Sequence, residues 1–157
     1  MKKRIESALL CALLLIMLLL SACGGAEKAK DADLNAVYAR MEEKLALPAM
    51  SAMSDRQLER YYGIDVSACP QHVAMQCDDG LRVDEIWLIQ AADEEAAAQL
   101  LSLAQSRIDQ LAAETENYLP DQFAVVKNSR ALRIGSYVAL LISPDAAQME
   151  ELFRGAF

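Results

Sequence analysis

The chain has 157 residues, with 15 basic and 23 acidic side chains, a net charge of −8 and an apolar fraction of 54%. That length suits one domain of ordinary size, large enough for a core without metal or disulfide staples and too small for two independent cores. An acidic surface excludes nucleic-acid binding, which requires a basic footprint.

The first element in chain order is an export signal. Lys2, Lys3 and Arg4 form a positive start, Ser7 to Leu20 is almost purely apolar, and the small residues Ser21 and Ala22 precede Cys23. This is the architecture of a secretory signal. The apolar run is shorter than the ~20 residues a spanning helix needs, which argues against an uncleaved anchor. Leu20-Ser21-Ala22-Cys23 resembles the lipobox of bacterial lipoproteins. The resemblance implies removal of residues 1–22 and a diacylglyceryl group on the Cys23 thiol. Two acyl chains give stable anchoring where one gives only marginal binding. The expected address is the extracytoplasmic face of the cell membrane. Residues 1–22 carry a net +2, so the part from Cys23 onward carries −10. Such a domain is repelled by an anionic bilayer, and lipid alone must hold it. Residues 23–32 read as the lipidated cysteine and a small polar tether. Residues 24–32 reach at most about 30 Å when extended. Residues 33–157 form the single folded domain.

Within that domain, Leu34, Val37, Met41 and Leu45 recur at helical spacing behind Asp33, predicting an amphipathic helix over about 33–46. Ser54-Asp55-Arg56-Gln57 matches a capping box. The short helix it opens runs to Tyr62, and Gly63 stops it. A β-hairpin follows, with Val73–Cys77 as its first arm and Leu81–Gln90 as its second. A three-residue loop places Cys77 opposite Leu81 and Met75 opposite Val83, keeps one face apolar, and assigns Gly80 the left-handed loop position. Asp93 caps a long helix to about Asn117, whose stripe includes Leu100, Leu101, Ala104, Ile108 and Leu111. Tyr118-Leu119-Pro120 ends it. Residues 121–128 read either as a turn of helix or as a short extended piece. A second hairpin joins Ala131–Ile134 to Tyr137–Ile142 through Gly135-Ser136, with Ile134 opposite Tyr137 and Leu132 opposite Ala139. Ser143-Pro144-Asp145 opens the last helix, with Pro144 at its first position and Met149, Leu152 and Phe153 as its apolar face.

Ile86-Trp87-Leu88-Ile89 and Val138–Ile142 are apolar on both faces, so their strands are central and covered on both sides. The expected fold is α+β. A single, mostly antiparallel four-stranded sheet comes from two hairpins, each followed by a helix, with the N-terminal helices packed on it.

Of the four cysteines, Cys11 leaves with the signal and Cys23 carries lipid, which leaves Cys69 and Cys77. An exported protein permits a disulfide between them. A strand over 72–77 sets their Cα atoms about 25 Å apart at ~3.3 Å per residue, against the 4.4–6.8 Å or so that a disulfide requires. The strand and the bridge exclude one another.

Leu58 with Tyr62-Gly63-Ile64-Asp65, then Asp84-Glu85-Ile86, Tyr118-Leu119-Pro120-Asp121-Gln122 and Gly135-Ser136-Tyr137-Val138 follow in order after the lipobox. This pattern resembles the domain of unknown function 4358 family of small Firmicutes lipoproteins, over roughly residues 33–154. Each motif is short, and their order carries the match. The family has no established activity and supplies no catalytic residues. Cys69 and Cys77 depart from its pattern.

His72 is the only histidine, and it lacks a nucleophile or second imidazole in sequence. It reads as a partly exposed strand residue. Asp78, Asp79, Asp84 and Glu85 lack calcium-loop spacing and read as solvated turn carboxylates. Ser54 and Ser143 are committed to caps. Tyr61, Tyr62, Trp87 and Tyr137 are core residues or, alternatively, a partner patch. No catalytic, cofactor or metal constellation is expected. The chain reads as a non-enzymatic lipoprotein that binds another envelope protein or assists envelope assembly. The alternative is a small-molecule or peptide-binding accessory of a transporter.

Overall fold

A computed structural model describes residues 31–157. The expected signal, Cys11 and Cys23 lie outside the described residues. Helix α1 (Leu34–Lys44) is followed by strand β1 (Met50–Ala52), helix α2 (Asp55–Tyr62) and a 3-10 turn (Val66–Ala68). Strands β2 (Gln71–Cys77) and β3 (Glu85–Gln90) come next, then helices α3 (Glu94–Thr115) and α4 (Pro120–Lys127). Strands β4 (Arg130–Ile134) and β5 (Tyr137–Ile142) and helix α5 (Ala146–Arg154) complete the domain. The class is α+β, with one antiparallel sheet in the order β1-β2-β3-β5-β4.

The helix starts follow the capping logic. Asp33 accepts from the N–H groups of Asn35 and Ala36, and Asp93 accepts from that of Ala96. Ser54 and Gln57 complete a reciprocal capping box. Gly63 ends α2 at φ +68°, where its N–H donates to Glu59 O. In the second hairpin Gly135 takes φ +55° and Ser136 does not take a positive φ, as a two-residue loop led by glycine requires. Ile134 faces Tyr137 and Leu132 faces Ala139, in the expected register.

Three features differ from expectation. The sheet has five strands rather than four. Three-residue β1 is too short to show alternation, yet it pairs Met50 with Cys77 and Ala52 with Met75 and covers the main-chain edge of β2. The first hairpin is wider than a three-residue loop. Cys77 N–H donates to Asp84 O, and Met75 faces Ile86 rather than Val83. The reason lies in competing hydrogen bonds: Val83 N–H is taken by Gln122 Oε1 of α4, and Leu81 N–H by Asp79 Oδ1. Residues 81–83 therefore leave the ladder, and Gly80 has no positive φ. Of the two readings left open for residues 121–128 the helical one holds, over Pro120–Lys127 with Pro120 in the first turn. Finally, α5 starts at Ala146, because Ser143 Oγ accepts from Asp145 N–H and Ser143 O from Ala146 N–H, so that Pro144 stands in a preceding turn.

The sheet divides the core in two. Ala74, Trp87, Ile89, Val138, Leu140 and Ile142 face α2, α3 and α4. Val73, Ile86, Leu88, Tyr137, Ala139 and Leu141 face α1 and α5, with Met41, Met149 and Phe153. Gln71 fastens α1 to the sheet: its Oε1 accepts from Leu34 N–H, and its Nε2 donates to Ala32 O and Gln90 Oε1. No helix among the described residues is long and apolar enough to cross a membrane.

The Gly63 cap is testable. A Cβ there meets nothing within 4 Å, so only backbone strain opposes it. Gly63→Ala should cost about 1 kcal/mol in urea unfolding. A loss of less than a few tenths would show that the left-handed cap is not required.

Candidate functional site

At the start of β3 the chain turns two consecutive carboxylates inward. Asp84 and Glu85 are each only 3% exposed, against the expectation of solvated turn acids. Burying a carboxylate without a partner is costly, and each has its own arginine. Arg82 reaches Asp84 with both Nε and Nη2, at 3.0 and 3.1 Å. Arg107, set in the buried stripe of α3 between Ala104 and Leu111, reaches Glu85 Oε2 with Nη2 at 2.8 Å and Nε at 3.0 Å. Both contacts use the planar two-point geometry that arginine favours.

The Glu85–Arg107 pair sits on an aromatic support. The Arg107 guanidinium carbon lies 5.2 Å from the Tyr62 ring centroid. Tyr62 meets Trp87 edge-on at 4.9 Å. Trp87 lies opposite Ala74, whose small side chain leaves room for the indole. The Trp87 Nε1–H is buried without a hydrogen-bond partner; it lies close enough to the Glu85 carboxylate to favour its charged form while missing hydrogen-bond geometry. Burial holds the Glu85 carboxyl above its ordinary value, against the opposing bonds and charge of Arg107. Burial likewise works against the charge on Arg107, but its bonds to Glu85 and the nearby acids keep its pKa above the ordinary value. The asymmetry follows depth, since the Glu85 side chain is 4% exposed and that of Arg107 16%.

Above this pair opens a cleft of about 290 Å³. Its floor is Asp84 and Glu85, one wall is the Asp79–Val83 loop, and the other is Arg107, Leu111, Glu114 and Thr115 of α3, with Leu119 closing the end. The Thr115 hydroxyl donates to Leu111 O and is thereby committed. Gln122 holds the loop to α4 through Val83 N–H. The rim is apolar. Leu81 is 70% exposed, Tyr118 84% and Leu119 36%, three of the four large apolar side chains that lie open among the described residues.

The other residues singled out from sequence are dispersed. His72 lies on β2 with Nε2 3.1 Å from Asp55 Oδ1, remote from the cleft lining. Trp87 and Tyr137 are core residues on opposite faces of the sheet, Tyr62 is half-buried, and Tyr61 alone is open, so these four form no patch. Cys77 lines the cleft and Cys69 follows the 3-10 turn; both are free thiols at opposite ends of β2. Asp78 and Asp79 are exposed, as read. Among the described residues no three His, Cys, Asp or Glu side chains gather to hold a metal ion. Sequence reasoning missed Arg107 and Leu81. A basic residue amid the long helix, facing an Asp-Glu pair at a strand start, was the available signal.

Two outcomes test this geometry. Arg107→Met strands a buried carboxylate and should cost about 3–5 kcal/mol in urea unfolding, whereas Arg107→Met with Glu85→Met should cost less than the single change. A double variant weaker than the single one would contradict the assignment. The second concerns pH. Glu85 is raised in the folded state, so its contribution is fully present below the ordinary value of 4.5 and is lost as pH rises through the folded value. Glu85→Gln should flatten the stability profile from pH 4.5 upward; an unchanged slope there would refute the raised value.

Comparison with curated proteins and with solved structures returns no match. A match is found over residues 43–143, a stretch holding the sheet, the cleft and the ion pairs of Asp84 and Glu85, to the family described as Domain of unknown function (DUF4358). The chain belongs to the domain of unknown function 4358 family.

Proposed function

We propose that the protein is a non-enzymatic, lipid-anchored interaction module on the extracytoplasmic face of the cell membrane, binding another envelope protein through the cleft beside β3. The observation that carries this reading is the rim of Leu81, Tyr118 and Leu119, because clustered exposed apolar side chains beside a polar pocket mark interaction sites. Tyrosine at such a position contributes strongly to protein interfaces. The lipobox-like Leu20–Cys23 stretch supports the membrane address. The two inward carboxylates argue for binding over acid–base chemistry, since each is tied to an arginine by two hydrogen bonds or more. An acid and a base with opposed tuning need separate environments and access to a reacting group.

A second reading, a small-molecule or peptide-binding accessory of a transporter, is favoured by one observation. A mostly apolar pocket of about 210 Å³ lies between the 3-10 turn and α3, lined by Ile64, Cys69, Ala91, Ala96, Leu100 and Leu103. Its volume is below the range of about 300–1,000 Å³ usual for small-molecule sites, which ranks it second.

Site-specific photocrosslinking in intact cells separates these readings. A probe at Leu81 or Tyr118 should capture one envelope protein, a probe at exposed Arg56 should not, and Cys23→Ala should abolish the capture. Absence of any Leu81- or Tyr118-dependent partner across growth conditions would defeat the interaction reading.

A further inference from the structure

The cleft holds more negative charge than its own arginines neutralise. Four carboxylates line it (Asp79, Asp84, Glu85 and Glu114) against two guanidinium groups, Arg82 and Arg107, a net of −2. Both guanidinium groups are already engaged, Arg82 on Asp84 and Arg107 on Glu85. Asp79 and Glu114 are left on opposite walls with no cationic partner among the described residues. Asp79 accepts only from Leu81 N–H and Glu114 only from Gln110 Nε2. Their charges act inward, Asp79 on Arg82 and Glu114 on Arg107. Exposed Asp78, Glu116 and Asp121 extend the same sign along the loop and the α3–α4 junction.

An incoming anion would meet this surplus with both arginines occupied. A cation meets two open carboxylates. The cavity, about 290 Å³, is at the lower edge of small-molecule sites and suits one long side chain. Leu111 and Val83 offer apolar wall for an aliphatic stem below a charged head, the arrangement by which lysine and arginine cover apolar surface while keeping their charge near polar groups. The rim residue Leu81 lies between two lining residues in the chain, and Tyr118 precedes the lining residue Leu119. The rim is therefore placed for whatever flanks the inserted side chain, and Tyr118 offers an aromatic face to a cation at the mouth.

We propose that the cleft receives a lysine or arginine side chain from a partner protein, with apolar residues on either side of that cation resting on Leu81, Tyr118 and Leu119. This rests on the interaction-module reading and names the chemistry of the partner.

The test uses the full chain in detergent and three synthetic peptides, acetyl-Ala-Leu-Lys-Leu-Ala-amide and its norleucine and glutamate counterparts. Binding is read by the fluorescence of Trp87, the single tryptophan of the chain, whose indole lies beside Glu85 beneath the cleft. The lysine peptide should bind about fivefold tighter than the norleucine peptide, and the glutamate peptide weakest, as two partly screened ion pairs predict. Added salt should narrow the difference. Asp79→Asn with Glu114→Gln should remove the lysine preference while leaving the melting profile unchanged, because both side chains are exposed. Equal binding of the three peptides, no binding of any, or a lysine preference that survives the double substitution would overturn the proposal. The two readings fail separately. Cellular capture at Leu81 without any lysine preference would remove the cation chemistry and leave the interaction role. A lysine preference without cellular capture would leave the site and remove the envelope partner.

Discussion

The constraint on which the rest of the structure depends is the absence of a polar face on the two central strands. Every residue of β5 is buried, and so are Glu85 to Ile89 of β3. A strand of this kind has no side that water can cover, so helices must close both faces. The long helix α3 is placed over one face, and α1 and α5 over the other, by this requirement rather than by their own propensities. The edges follow a different rule. Strand β1 is three residues long, and β4 carries Arg130 and Arg133, engaged with Glu150 and Glu94, so neither edge offers a long bare ladder.

The same constraint generates the cleft. Strand β3 enters the core with Asp84 and Glu85, two residues that cannot be buried alone. Arg82 comes from the loop immediately before them, and Arg107 from the middle of the overlying helix. The loop must stay wide enough to admit Arg82, so residues 81–83 leave the ladder and Val83 bonds to Gln122 instead. A wide loop against a helix leaves a hollow, and that hollow is floored by the ion pairs that caused it. Tyr62 and Trp87 support Arg107 from below and link the hollow to the core.

Local chemistry was legible in the sequence and distant chemistry was not. The caps at Asp33, Ser54 and Asp93, the glycine stop at Gly63 and the second hairpin register each depend on a few neighbouring residues. They follow from hydrogen-bond arithmetic within one turn. The family and the two-faced burial of β3 and β5 were also readable, the latter from unbroken apolar runs. The first hairpin was misread because its register is decided by Gln122, 39 residues from Val83. Glu85 was misread for the same reason: its partner lies 22 residues away on another element. A carboxylate beside a turn normally faces water, and only tertiary structure reveals an arginine poised to receive it. Three-residue β1 exists because β2 has an edge to cover, a cause that its own residues do not display.

A buried ion pair is an inefficient way to stabilise a fold, since a well-packed apolar pair often does as well or better. One such pair, Glu85 with Arg107, beside a second whose arginine reaches solvent, Asp84 with Arg82, therefore calls for a reason beyond stability. Here they fix the arginines. With Arg82 and Arg107 held by two-point contacts, their charge is cancelled within the floor, and the electrostatic character of the opening falls to the unpaired acids on its walls. Were the floor apolar, the hollow could collapse around packed side chains. A charge-balanced floor, tied by two-point hydrogen bonds, keeps it open. The exposed Leu81, Tyr118 and Leu119 then stand beside a cavity whose walls carry a defined sign, and the proposed recognition role rests on that combination.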